Sequence, residues 1–334
     1  MVLNKSSSHA LLRLLAGRTT AAEIAKAAPG VDVRTIQRAI SRLLAMGLVE
    51  RLGSSNNPSY GVGYDELIRV TIADKLLEDE ARPATSFNHA LLDWLEGQSV
   101  EQLDAVFGNT QLNLRSKSAN KMSARDLEYL TIELAWRSSA LEGNTYTLLD
   151  TQLLLTEGIK AKNRTEFETQ MIINHKDAVA FIVENPELFS GTVGFRSVEE
   201  LHRIIGKNLG IDAGVRRKIV KITATNYQPM AGPQQLREAI DRILAIVSKP
   251  RDPFARALLA LGLVPYLQTF EDGNKRTGRM LANAILIISC GTGFSLRNIE
   301  ARDLAMAYLK LYEFNSFQAL QVILSAQLES GKSL

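Results

Sequence analysis

Two apolar runs, LLALGLVPYL and LANAILIISC, stand on either side of the polar string QTFEDGNKRTGR, Gln268 to Arg279. The string therefore reads as a turn leading from one apolar helix, ending near Tyr266, into a second that runs from about Lys275 to Ile288. Neither run reaches the roughly 20 apolar residues that a membrane span requires. Gly273 permits a tight turn and close approach of the backbone. The first N–H groups of the second helix have no partner within it and make an anion site. Arg276 and Arg279, three apart, project from one side of that helix's first turn and can share a phosphate chain. Asp272 can hold a divalent cation bridging such phosphates. A bare Asp-Gly-Asn is only an interhelical turn; the twelve-residue string is far more specific.

From about residue 126 helical periodicity dominates, broken by one β-like insert, RKIVKITATNYQP, residues 217–229, which reads as a small hairpin. Residues 64–125 are mixed and mostly helical and read as linker or scaffold. No repeat of fixed period and no low-complexity tract occurs. A single cysteine, Cys290, lies in an apolar helical run, so neither a disulfide nor a thiolate metal site is expected. With no secretory signal and no membrane span legible, the expected compartment is the cytoplasm.

Charge separates the N-terminal part from the rest. Residues 1–60 hold eight Lys and Arg against three Asp and Glu, a net +5, whereas the whole chain carries +3, so the remainder is at −2. The basic segment reads as SSHALLRLLAG ending at Gly17, a second helix TTAAEIAKAA opened by a Thr20/Glu23 capping box, and, after Pro29-Gly30, a third helix capped by Asp32 and ending near Gly47. Two extended pieces around SSNNP follow. Three helices and a hairpin in this order resemble a winged helix-turn-helix over residues 1–63. On the third helix Ile36, Ile40, Leu43 and Leu44 form the apolar stripe. Arg34, Thr35, Gln37, Arg38 and Arg42 lie opposite, and with Arg51 of the hairpin they are the candidate contacts to double-stranded DNA. A solvated face on a protein-binding module is the alternative. Such modules pair on symmetric sites, so a homodimer on a palindromic operator is expected.

TFEDGNKRTGR resembles the core motif of Fic (Fido-fold) proteins, His-x-Phe-x-Asp/Glu-Gly-Asn-x-Arg-x-x-Arg. Phe270, Asp272, Gly273, Asn274, Arg276 and Arg279 match, and Gln268 stands where that motif has His. SSALEGNT is similar to the family's inhibitory helix through Ser138, Glu142 and Gly143, and residues 217–229 look like its target-positioning flap. The resemblance covers residues 126–330. Joined to the N-terminal reading, it gives a mainly α chain, a winged helix-turn-helix followed by an all-helical Fic domain with a small β-hairpin flap; it implies binding of ATP with Mg²⁺, and no structural metal is expected. Typical members transfer AMP to a protein hydroxyl. By carry-over Asp272 would coordinate Mg²⁺, Gly273 and Asn274 would cradle the α-phosphate region, and Arg276 and Arg279 would hold the outer phosphates. Glu142 would reach Arg279 and deny it to the γ-phosphate.

Gln268 breaks the pattern at one point. The motif His accepts the proton of the attacking hydroxyl, which needs a pKa near neutrality. An amide hydrogen-bonds a hydroxyl but is not basic. The other histidines, His9, His89, His175 and His202, have no spacing that makes one of them a substitute. Gln268 fits a domain turned from catalysis to sensing, dimerisation or control of the N-terminal module, and it also fits a single silencing substitution in an active enzyme. QTF also lacks the Pro often found after the His, which favours the first. The expected function is a DNA-binding transcriptional regulator with a pseudoenzyme Fic domain. An AMP-transferring enzyme with inhibitory Glu142 and a protein-interaction scaffold are the rivals.

Overall fold

The structure is a computed structural model describing residues 20–26, 32–45, 50–54, 57–61, 85–109, 112, 114 and 122–330. The chain divides into two compact units, residues 1–81 and 82–334. In the first, α1 (Ala21–Lys26) precedes α2 (Val33–Ala45), and β1 (Glu50–Ser54) pairs antiparallel with β2 (Asn57–Gly61). The Thr20 N–H donates to Glu23 at 2.8 Å and the Glu23 N–H to Thr20 Oγ1 at 3.3 Å, a reciprocal cap for α1. Asp32 opens α2, accepting from the Thr35 N–H at 2.9 Å. Ile24, Ile36, Ala39 and Ile40 are buried between the two helices, while Arg34, Gln37 and Arg38 face solvent with Thr35 half-buried. Arg51, on the hairpin, is exposed. The helix expected over SSHALLRLLAG, the ends at Gly17 and Gly47, and the side chains of Arg42 and Leu43 lie outside the described residues.

The second unit is mainly helical. Its elements are β3 (Thr85–Ser86), α3 (His89–Gly97), α4 (Val100–Phe107), α5 (Ala124–Ala140), α6 (Leu148–Glu157), α7 (Glu166–Glu184), α8 (Glu187–Ser190), α9 (Phe195–Gly206), β4 (Tyr227–Gln228), α10 (Pro233–Ser248), α11 (Pro253–Leu267), α12 (Asn274–Cys290), α13 (Ala301–Phe314) and α14 (Gln318–Ser330). Every residue of α11 is buried, and so is nearly all of α12. A helix apolar on all sides can only be satisfied at the centre of such a bundle. The two cross closely: a Cβ at Gly278 would sit 2.9 Å from Pro265 Cδ, so only glycine fits at that contact. Among the described residues no helix is long and apolar enough to cross a membrane.

One segment extends the helical unit and another differs from expectation. Residues 85–107 pack within the helical unit. The Asn88 N–H donates to Tyr266 Oη at 3.0 Å, Arg242 of α10 binds Asp93 and Glu96 of α3, and the Asp252 N–H donates to Asp104 of α4 at 2.9 Å. The expected hairpin over 217–229 is instead an extended excursion that turns at Thr223–Ala224, with Ala224 at φ 64°. Only Tyr227–Gln228 form a strand, and they pair in parallel with Thr85–Ser86. The physical reason lies in burial. Residues 217–219 are exposed, Ile219 at 78%, so no apolar face holds two arms together, and a lone two-stranded ribbon is marginal.

Candidate phosphate-binding site

The site lies where α11 gives way to α12. Gln268 ends α11 in the left-handed region (φ 55°, ψ 56°), and Gly273, at φ 76°, turns the chain into α12. That φ is the reason for a glycine at this position. Asn274 ties the loop across itself: its Oδ1 accepts from the Phe270 N–H at 2.9 Å, and its Nδ2 donates to Phe270 O at 2.8 Å and to Gln268 Oε1 at 3.1 Å. Gln268 Nε2 donates in turn to Pro265 O at 2.7 Å. The amide is thus a strut between the end of α11 and the start of α12. Gly273 makes no side-chain cap, so the first N–H groups of α12 face the cavity without an internal acceptor.

That cavity has a volume of about 200 Å³ and is walled by Val220 to Thr223 of the excursion, the turn from Glu271 to Arg276, Gln268 and Glu142. Arg276, 3% exposed, binds Asp272 through Nη2 at 3.2 Å, while its Nε and Nη1 are buried without any partner. Burial pushes its pKa down, against the pull of Asp272. Asp272 itself is largely exposed and also accepts from the Gly273 N–H at 2.6 Å. Among the described residues no cluster of three or more His, Cys, Asp or Glu could hold a metal, so a cation here would rest on Asp272 and the ligand's own oxygens.

Arg279 does not reach the cavity. Its Nη2 donates to Glu142 Oε1 at 2.7 Å and to Ser138 O at 3.2 Å, and its Nε donates to Ser138 Oγ at 2.9 Å. Burial alone would raise the Glu142 pKa, but the Arg279 charge and hydrogen bond, with Arg276 and Lys275 beyond, outweigh it and hold the carboxyl below its ordinary value. Gly143, at φ 90°, turns the chain after Glu142. Beyond it Glu168 of α7 accepts from Thr145 Oγ1 at 2.6 Å and from the Thr145 N–H at 2.9 Å, and these bonds with that of Thr165 bring its pKa down to about 2.

The structure therefore brings Gln268, Asp272, Gly273, Asn274, Arg276, Arg279, Ser138 and Glu142 together around one turn. Arg34, Thr35, Gln37, Arg38 and Arg51 belong to the other compact unit. Three residues at the site escaped the sequence reading. His202 donates from Nε2 to Asp272 O at 3.0 Å and stacks on Phe270 with ring centroids 3.7 Å apart. His175 contacts Ser138. Arg216 donates to Gln268 O at 2.6 Å, to Lys218 O at 2.7 Å and to Met230 O, and its own N–H donates to Thr269 O. Both histidines stand on apolar helical faces, beside Ile172 and Val179 in α7 and Val198 and Ile205 in α9, and that placement was the available signal.

Residues 194–286, which contain this turn, match the sequence model of the Fic/DOC family. Protein adenylyltransferase fic-1 of Caenorhabditis elegans is 26% identical over 225 residues, 65% of this chain and 42% of that protein. Its counterpart in Caenorhabditis briggsae is 26% identical over 214 residues, 62% of this chain and 40% of that one. The chain thus spans about two fifths of the length of these curated relatives. The solved structure of a Fic-1 fragment from C. elegans superposes with a TM-score of 0.54 at 18% identity, covering 88% of this chain and 91% of the fragment. A Fic family protein from Desulfovibrio desulfuricans G20 superposes with a TM-score of 0.52 at 15% identity, covering 76% and 77% of the two chains. At such identities superposition speaks for the fold, and the sequence match falls on the turn that the geometry had already singled out. The helical unit of this chain contains a Fic domain.

Proposed function

We propose that the chain is a DNA-binding regulator whose Fic domain keeps a nucleotide-phosphate site without effective AMP transfer. The observation that carries the nucleotide part is Arg276, whose buried Nε and Nη1 have no partner beside an uncapped helix start. Leaving buried donors unmatched is costly, and an anion in the cavity relieves it. ATP fits this donor set, with Gly273, Asn274 and Arg276 as its holders, Arg279 joining once released from Glu142, and Asp272 meeting an accompanying Mg²⁺. ATP would bring an electrophilic α-phosphorus to the turn. Gln268 cannot take a proton from an attacking hydroxyl, since its amide is neutral and engaged with Pro265 O and Asn274. The DNA part is supported by the exposed row of Arg34, Gln37 and Arg38 opposite the buried Ile36 and Ile40. A homodimer on a palindromic operator accompanies this reading.

Protein adenylyltransferase activity is the second reading, favoured by the names of the relatives in Caenorhabditis. Calorimetry with Mg-ATP on the wild type and on Glu142→Gly tests the nucleotide site. Weak binding in the wild type and tighter binding in the variant are expected, because the variant frees Arg279. No heat in either protein would leave the turn a relic and the domain an interaction platform.

A further inference from the structure

Arg279 is oriented by more than Glu142. Its Nε donates to Ser138 Oγ at 2.9 Å, and behind that hydroxyl lies His175, with Nε2 2.8 Å from Ser138 Oγ and Nδ1 2.8 Å from Met171 O. Ser138, His175 and Arg279 are at most 1% exposed. The direction of this chain of bonds follows from what each group can do. A carbonyl only accepts, so Nδ1 carries the imidazole proton and Nε2 is bare. Nε2 then accepts the Ser138 hydroxyl proton, which leaves the Oγ lone pairs for Arg279, a group that only donates. Burial, with Arg276 and Arg279 nearby, pushes the His175 pKa down to about 3, so this neutral form persists. Without an acceptor at Nε2 the Ser138 hydroxyl turns to a carbonyl of its own helix, as buried helical serines do, and its lone pairs swing away from Arg279.

We infer that His175 is a positioning residue of the Glu142–Arg279 clamp: acting through Ser138, it holds the guanidinium in the orientation that Glu142 captures. The helix α7 is thereby part of the device that keeps Arg279 away from a phosphate. This rests on the proposed nucleotide reading, and the isosteric amides separate it from a purely structural role. Gln places an acceptor near the Nε2 position and keeps the bond to Ser138. Asn places its amide near Nδ1, keeping Met171 O and losing Ser138.

Calorimetry with Mg-ATP and the solvent exchange of the Arg279 Nε–H, read by NMR on the full chain, form the test. His175→Asn is expected to bind roughly twofold to tenfold more tightly than wild type, the worth of one hydrogen bond, and to exchange the Nε–H faster. His175→Gln is expected to match wild type in both. In the Glu142→Gly background His175→Asn should add little, because the clamp is already open. Equal effects of Asn and Gln, weaker binding in His175→Asn, or full additivity with Glu142→Gly would overturn the inference. If Glu142→Gly itself binds no nucleotide, the nucleotide reading fails. Exchange then decides alone: an unchanged Arg279 Nε–H in His175→Asn sinks the role of His175.

Discussion

Gln268 sits in a left-handed backbone region that costs a non-glycine residue roughly 1–2 kcal/mol, and its side chain bridges the two helices that the turn joins. The strut stabilises the turn and gives the position a use that does not involve proton transfer. Substituting His supplies an acceptor of suitable pKa at the same point, and general-base catalysis is typically worth about 10²–10⁴ in rate. Labelled AMP on the protein itself or on an added partner is therefore expected in Glu142→Gly/Gln268→His and not in Glu142→Gly alone. Equal labelling of the two would remove Gln268 from the explanation. The turn residues were legible because spacing and residue type together specify them. His175, His202 and Arg216 were not, because each acts on a backbone carbonyl or a hydroxyl that the sequence places 37, 70 or 52 residues away.

At the scale of elements, the caps were readable where a side chain three residues off completes them, as at Thr20 and Asp32. The excursion at 217–229 was misread because its alternating β-branched residues have a strand's period but no surface to bury against. The helix α2 carries the DNA reading. If Arg38 faces a base edge, Arg38→Ala should lose about 1–3 kcal/mol at the right site and relax preference there, whereas Arg34→Ala should weaken binding to all duplexes and flatten the salt dependence. Fragments selected from the source genome and titrated by fluorescence anisotropy provide the measurement. Equal affinity for selected and random duplex would end the regulator reading.

At the scale of the whole molecule, two buried neutral histidines make stability depend on acidity. Burial pushes His175 down to about 3 and His202 down to about 4. Unfolded, each binds a proton below about 6.5. Between pH 6.5 and those lower values the unfolded chain holds protons that the folded chain does not, so stability is complete above pH 6.5 and falls as pH drops. The slope approaches about 1.4 kcal/mol per pH unit for each histidine. Thermal melts from pH 7 to 4.5 should show a falling midpoint, with a shallower fall in His175→Gln; parallel curves would contradict the assignment. One consequence follows from where the lock and its arginine come from. Ser138 and Glu142 stand 141 and 137 residues ahead of Arg279, at the other end of the domain's sequence. The cradle itself is local, made by two consecutive helices that pack on each other. On the proposed reading, any fault at the α5 end, whether a truncation, a nick or a late-docking segment during folding, removes the lock and spares the cradle. A domain so built fails open, and its closed state would certify that the α5 end is present and docked.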